Sequence, residues 1–145
     1  MLYFYLNENA RTNGVAPLCA PKTGDAGYDI RSNEFLDLKP GEQALIATGL
    51  HVKIPVGMVG ILKDRSSMAR AGIRVSGGVI DAAYRGEIRV LLENRSDSTY
   101  AIHINDRIVQ MIVVACSTQP TLQVDDLAAL GETERGGAGF GSTGV

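Results

Sequence analysis

Apolar residues recur at every second position in several short stretches of this chain. Leu50, Val52 and Ile54 alternate with His51 and Lys53, and Ile88, Val90 and Leu92 alternate with Glu87, Arg89 and Leu91. Tyr100, Ile102 and Ile104 repeat the pattern. Ile108 to Val114 is a nearly continuous apolar run broken by Gln110. A period of two lines one face of a strand, so each run predicts one strand. The apolar start Met1-Leu2-Tyr3-Phe4-Tyr5-Leu6 predicts another. Pro40-Gly41, Pro55 with Gly57, Gly77-Gly78 and Asn94 to Ser98 supply the turns between them. Short strands at this spacing predict an all-β subunit: a sandwich, barrel or jelly roll.

Two segments break the alternation. Asp64-Arg65-Ser66-Ser67-Met68-Ala69-Arg70-Ala71-Gly72 predicts a short helix with Asp64 as N-cap and Gly72 as terminator. Asp125 to Gly131 predicts a further helical turn. Beyond it lies Arg135-Gly136-Gly137-Ala138-Gly139-Phe140-Gly141-Ser142-Thr143-Gly144, half of it glycine, with Phe140 as its one large apolar side chain. Such a stretch cannot bury enough surface to hold itself in one shape. The expected organisation is therefore a β core over residues 1–131 and a flexible Gly-rich segment over residues 132–145.

Composition narrows the class. At 145 residues the chain is long enough for one sizeable core, and its net charge of −2 speaks against general nucleic-acid binding. Any anionic ligand must then meet a local basic cluster. No apolar run approaches the roughly 20 residues of a membrane span. The N-terminus lacks the basic lead-in and small-residue cleavage site of a signal peptide. Cys19 and Cys116 are too few for a disulfide framework, which predicts a reducing compartment and no secretion. His51 and His103 occupy polar alternation positions and are expected to face solvent. With no paired cysteine–histidine spacing, zinc has little support.

Several segments carry candidate chemistry. Arg65, Ser66 and Ser67 sit in the first turn of the predicted helix, a combination suited to phosphate; the alternative is an ordinary capped helix in a connecting loop. In Gly77-Gly78-Val79-Ile80-Asp81-Ala82-Ala83-Tyr84-Arg85-Gly86-Glu87, glycines flanking a short apolar run predict a tight hairpin open to a ligand. Asp81 there is a candidate general base or a turn-forming residue. Tyr84 is either a packed aromatic or the wall of a sugar pocket. Asp25-Ala26-Gly27-Tyr28-Asp29-Ile30 reads as a turn entering a strand, or as a carboxylate near metal-bound water. Gln110, an amide inside an apolar strand, needs a hydrogen-bond partner. In the tail, glycine N–H groups, Arg135, Ser142 and Thr143 suit an anion, and Phe140 suits a flat ring.

Taken in order, five of these segments resemble the motifs of the trimeric dUTP pyrophosphatases (dUTPases). They are Ala26-Gly27-Tyr28-Asp29-Ile30; Arg65-Ser66-Ser67-Met68-Ala69; Gly78-Val79-Ile80-Asp81 through Tyr84-Arg85-Gly86; Asp106-Arg107-Ile108-Val109-Gln110; and Arg135 to Gly144. Each is weak singly, and five in this order are specific. The resemblance implies a jelly-roll or distorted β-barrel subunit with one short helix, assembled as a homotrimer with shared active sites. It implies hydrolysis of dUTP to dUMP and pyrophosphate with Mg2+, which limits uracil in DNA and supplies dUMP for dTMP synthesis. The setting implied is the cytoplasm, or the nucleus or host cytosol, with no nucleic-acid or membrane partner.

Carried over by residue, Asp81 would deprotonate the water that attacks the α-phosphorus. Tyr84 would pack on the deoxyribose, and the backbone from Gly78 through Val79 and Ile80 would read the uracil edge. Arg65, Ser66 and Ser67 would hold phosphate oxygens, with Arg89 also in contact with substrate and Gln110 ordering the site. Asp29 would touch the magnesium through water. Arg135, Ser142 and Thr143 would clasp the γ-phosphate while Phe140 and Gly141 cover the uracil, making the tail a lid over a neighbouring subunit's site.

The chain departs from the family pattern in three places. Asn105 stands where a glycine usually opens the fourth motif, Ala82-Ala83 where an acid is common, and Arg-Ser-Ser where Arg-Ser-Gly is more frequent. The related dCTP deaminases also favour Arg-Ser-Ser. They need a glutamate at the strand position occupied here by Leu91; Glu93 lies two residues further along, and those enzymes lack the tail. A catalytically idle nucleotide sensor on the same scaffold is the rival from another class. Retention of Asp81, Tyr84 and the complete tail argues against it.

Overall fold

The computed structural model describes residues 1–134, 136 and 137. Within them eleven strands form, the expected runs among them. They are β1 (Tyr3–Leu6), β2 (Tyr28–Arg31), β3 (Leu36–Leu38), β4 (Gln43–Ile46), β5 (Leu50–Lys53), β6 (Met58–Asp64), β7 (Ile73–Ser76), β8 (Val79–Ile80), β9 (Val90–Asn94), β10 (Tyr100–Ile102) and β11 (Arg107–Ala115). All pairings are antiparallel, in sheets ordered β2-β11-β6-β8, β4-β9-β7, β1-β5 and β3-β10. The architecture is all-β, of the jelly-roll type. Alternation explains the core: β9 reads buried, half-buried, buried, half-buried, buried from Val90 to Asn94. Its Val90 and Leu92 meet Ile46, Ile73, Ile88, Ile102 and Ile108 in one continuous cluster, each at most 1% exposed. Truncating any one of these isoleucines to alanine would cost about 2–5 kcal/mol. Asn94, the polar member of the set, has its amide satisfied by the Leu38 and Ser98 carbonyls, both at 2.8 Å.

The β11 strand matters most for function. Its central residues pair with β2 on one side and β6 on the other, so Gln110 lies level with Asp29 and Lys63. Three of the expected motifs thereby meet on neighbouring strands. A register shift between Arg107 and Val109 marks where β11 begins.

Three local expectations change. A helix α1 (Glu8–Thr12) follows β1, its Asn7 cap accepting the Ala10 N–H at 2.9 Å. Only Ala10 of it is buried, so it carries no apolar periodicity; the Asn-Glu start was its one legible signal. The helix α2 is Ser66–Arg70 with Arg65, not Asp64, at the N-cap, and no side chain caps it. Asp64 instead ends β6, where its carboxylate accepts the Val75 N–H at 2.7 Å and the Arg74 guanidinium at 3.0 Å. Gly72 does terminate the helix, with φ 79°. Finally, Gly77-Gly78 does not close a hairpin. It carries the chain from β7, paired with β9, across to β8, paired with β6. The helical turn expected near residue 128 is a 3-10 segment, Leu127–Leu130, fully exposed on this chain. No helix among the described residues is long and apolar enough to cross a membrane.

Candidate active site

The motifs condense into two clusters on different parts of the surface. The first surrounds the end of β6. Arg65 projects from the N-cap of α2, and its Nε donates to Asp29 Oδ1 on β2 at 2.7 Å. Arg107, at the start of β11, reaches the other oxygen of the same carboxylate at 3.3 Å. Asp29 thus holds two guanidiniums side by side, each partly exposed to a cleft. Charge-assisted pairs of this kind fix the planes of the arginine forks without consuming all their donors. Arg65 Nη1 also approaches Ser67 Oγ at 3.4 Å, and Ser66 and Ser67 are exposed beside it. The cleft measures about 410 Å3 and is lined by Asp29, Arg31, Arg65 and Arg107 on one side and by residues 17–25, including Lys22, on the other. It is the local basic cluster that an acidic protein needs to hold an anion. Arg107, which the sequence reading gave no role, is the main addition; its signal was a second arginine opening the strand that carries Gln110.

Gln110 has the partner that burial demanded. Its Nε2 donates to the Asp64 carbonyl at 2.9 Å, one residue before Arg65. Its other end lies against Gly27, where a Cβ would sit 2.6 Å from Oε1. The amide therefore joins the first motif to the second, and Gly27 is small because Gln110 occupies the space.

The second cluster is the segment after the glycine doublet. Val79 is 67% exposed, whereas Ile80 is buried, so the short β8 presents one side to solvent. Asp81 follows at the strand end, exposed, its backbone carbonyl accepting the Tyr84 N–H at 3.1 Å. Among the described residues its carboxylate has no hydrogen-bond or ionic partner. Tyr84 is 43% exposed and turned back so that its hydroxyl donates to the Glu87 carbonyl at 2.9 Å. A Cβ on Gly86 would collide with the phenol ring. Glu87 in turn accepts the Thr48 and Gly49 N–H groups at 3.0 and 2.7 Å, anchoring the loop to the turn that leads into β5. These residues, with Leu45, Ile88 and Arg89, line a cleft of about 490 Å3. Its mixture of apolar floor, two carboxylates and one arginine suits a flat base and a sugar more than a polyanion.

Gly78 sets the geometry of this wall. Its φ is 100°, and a Cβ there would fall 2.7 Å from Leu62 Cβ. Gly78→Ala is therefore expected to cost at least about 2 kcal/mol, from backbone strain and overpacking together. Calorimetry would show it as a lowered Tm, and an unchanged Tm would contradict the geometry.

The two clefts share no lining residue. Both histidines lie outside them: His103 is exposed, and His51 is half-buried with Nδ1 3.0 Å from the Arg85 carbonyl. Glu93 is engaged by Arg95 at 2.8 Å, a hydrogen bond that holds its carboxyl below the usual range. The tail residues Arg135, Phe140, Gly141, Ser142 and Thr143 lie outside the described residues. Among the described residues no three His, Cys, Asp or Glu side chains converge as a metal cage. Asp29 remains about one-third exposed, with lone pairs beyond its two arginine contacts. That suits a cation held through water and unsuits one held directly.

Comparison with known proteins agrees with this picture. A family model described as dUTPase matches residues 15–144. A deoxyuridine 5'-triphosphate nucleotidohydrolase of Mycobacterium leprae is 45% identical over 127 residues, covering 83% of this chain and 82% of that protein. The enzyme of the same name from Mycolicibacterium gilvum is 44% identical over the same length. Among solved structures, a Staphylococcus bacteriophage 80alpha dUTPase variant with dUpNHpp superposes with a TM-score of 0.88 at 29% identity. It covers 100% of this chain and 99% of that one. A variant dUTPase of phage phi11, whose structure describes the coordination of a structural Mg(II) ion, matches at 0.77 with 28% identity, over 88% of this chain and 98% of that one. On the matched family model, the mycobacterial relatives and the shared fold, the chain belongs to the dUTPase family.

Proposed function

We propose that the chain is a dUTP diphosphatase, releasing dUMP and pyrophosphate by attack of water on the α-phosphorus. The observation that carries this reading is the division of labour between the two clefts. One is cationic and fitted to phosphates, the other part-apolar and fitted to base and sugar, with the exposed carboxylate of Asp81 at its edge. Asp81 takes the proton of the attacking water. The backbone of Val79 and Ile80 reads the uracil edge, and Tyr84 walls off the deoxyribose, leaving no room for a 2′-hydroxyl. Arg65, Ser66, Ser67 and Arg107 hold phosphate oxygens, aligned by Gln110, while Arg89 rims the base cleft.

A triphosphate carries about four negative charges, so transfer at its α-phosphorus needs positive charge nearby. Asp29 would hold magnesium through water, and the ion, when bound, would supply part of that charge. We propose that residues 132–145 form the lid: Arg135, Ser142 and Thr143 on the γ-phosphate, Phe140 and Gly141 over the uracil. Because the two clefts are separate, a complete site is proposed to form between subunits of a homotrimer. The largely exposed apolar residues Leu122, Leu127 and Leu130 of the C-terminal segment support such an assembly. Two free, exposed thiols suit a cytoplasmic setting.

A pyrophosphate assay with four nucleotides tests the assignment. The expected kcat/KM for dUTP exceeds that for dTTP, dCTP and UTP by at least about 100-fold, because a steric pocket rejects an added methyl or hydroxyl group and a backbone that reads the uracil edge is mismatched to the amino edge of cytosine. Equal turnover of UTP would remove Tyr84 as the sugar gate. Ammonia release from dCTP would move the chain to the deaminases.

A further inference from the structure

Asn105 has an unusual backbone and an unusual set of attachments. Among the described residues it is the one non-glycine with positive φ, at 73°. Asparagine tolerates this left-handed region better than most residues, which explains how it replaces the glycine expected at the head of the fourth motif. It also does something glycine cannot. Its Oδ1 accepts the Ala16 N–H at 2.9 Å, across 89 positions of sequence. Its backbone is pinned on both sides: the N–H donates to the Ser32 carbonyl at 2.8 Å, and its carbonyl accepts the Arg31 guanidinium at 2.7 Å. Two residues later comes Arg107, paired with Asp29.

Ala16 leads directly into residues 17–22, whose Pro17, Cys19, Ala20, Pro21 and Lys22 form the wall of the cleft opposite Arg65 and Arg107. Among the described residues, the bond from Ala16 to Asn105 is the only hydrogen bond joining residues 16–24 to another element. Leu18 packs this wall against the core, and the one amide oxygen of Asn105 ties it by hydrogen bond to the strand that carries the opposing arginine.

We propose that Asn105 is a positioning residue that sets the width of the phosphate cleft and so the affinity for the triphosphate. The inference rests on the reading of that cleft as the phosphate site. Asn105→Gly keeps the backbone conformation and removes the tether; Asn105→Asp keeps an acceptor and also tolerates positive φ. Losing one neutral hydrogen bond is expected to raise the KM for dUTP about fivefold in Asn105→Gly. The kcat should stay within about twofold, since nothing in the transition state is touched directly. Affinity for dUMP, which lacks the β- and γ-phosphates, should not change.

Limited trypsin digestion reads the wall itself. Cleavage after Lys22 should accelerate about fivefold in Asn105→Gly, tracking the opened population, and Asn105→Asp should reverse both effects. An unchanged KM and unchanged cleavage in Asn105→Gly would overturn the role of Asn105, as would a parallel loss of dUMP affinity. Arg107→Ala separates that failure from failure of the cleft assignment. It should raise the KM at least about tenfold, since it removes a charged phosphate contact. If it does and Asn105→Gly does not, only the Asn105 inference falls. If neither variant responds, the phosphate assignment falls with it.

Discussion

Asp81→Asn is expected to lower kcat for dUTP by about a thousandfold, within the range that a positioned general base contributes. Formation of the proposed trimer and binding of a non-hydrolysable dUTP analogue should be retained. The substitution is nearly isosteric, and Asp81 is exposed with no described partner, so the fold has nothing to lose there. The amide can still accept a hydrogen bond from a water but cannot take its proton. Loss should therefore appear in kcat with KM little changed, the pattern of an interaction made only in the transition state. Pyrophosphate release at the wild-type rate would remove Asp81 as the base. Loss of analogue binding would instead make it a binding residue.

The second large effect is a gain of activity. Arg65→Ala should also be nearly inactive, because a triphosphate loses its best-aligned guanidinium and Asp29 loses its 2.7 Å partner. When the two dead proteins are unfolded together and refolded as mixed trimers, activity should return. If each site takes its Asp81 segment from one chain and its Arg65 cluster from another, about a quarter of the sites in an equal mixture combine two intact contributions. If one chain supplied both, every site would retain a defect and the mixture would stay dead. Measured recovery near that fraction supports a shared site, and none at all would place both clusters of a working site on one subunit.

Much of this was legible in the sequence, for identifiable reasons. The strands at residues 50, 90, 100 and 108 were legible because one face of each is buried, which imposes alternation. Asp81, Tyr84 and Gln110 were legible because a carboxylate, a phenol and an amide beside apolar runs need explanations. What escaped were features whose cause lies elsewhere in the chain. Asp64 has the composition of an N-cap, yet the Val75 N–H and Arg74 claim its carboxylate. Gly77-Gly78 has the composition of a hairpin turn, but its strands pair with β9 and β6 rather than with each other. Arg107 had no role of its own within its motif until Asp29, 78 positions away, lay within reach. Local preferences yield to tertiary partners wherever a stronger bond is available.

The lining of the phosphate cleft has a consequence for the form in which substrate arrives. Lys22, Arg31, Arg65 and Arg107 face Asp25 and Asp29 there, four cations against two anions, a surplus of two positive charges. Free dUTP, with about four negative charges, would leave that cleft as over-charged as it found it, only with the sign reversed. The magnesium complex carries about half that charge and brings the cleft close to neutrality. On the proposed assignment, electroneutrality would favour the chelate over the bare nucleotide before any chemistry begins. Turnover at limiting dUTP would then be expected to rise with free magnesium, which an assay across magnesium concentrations checks.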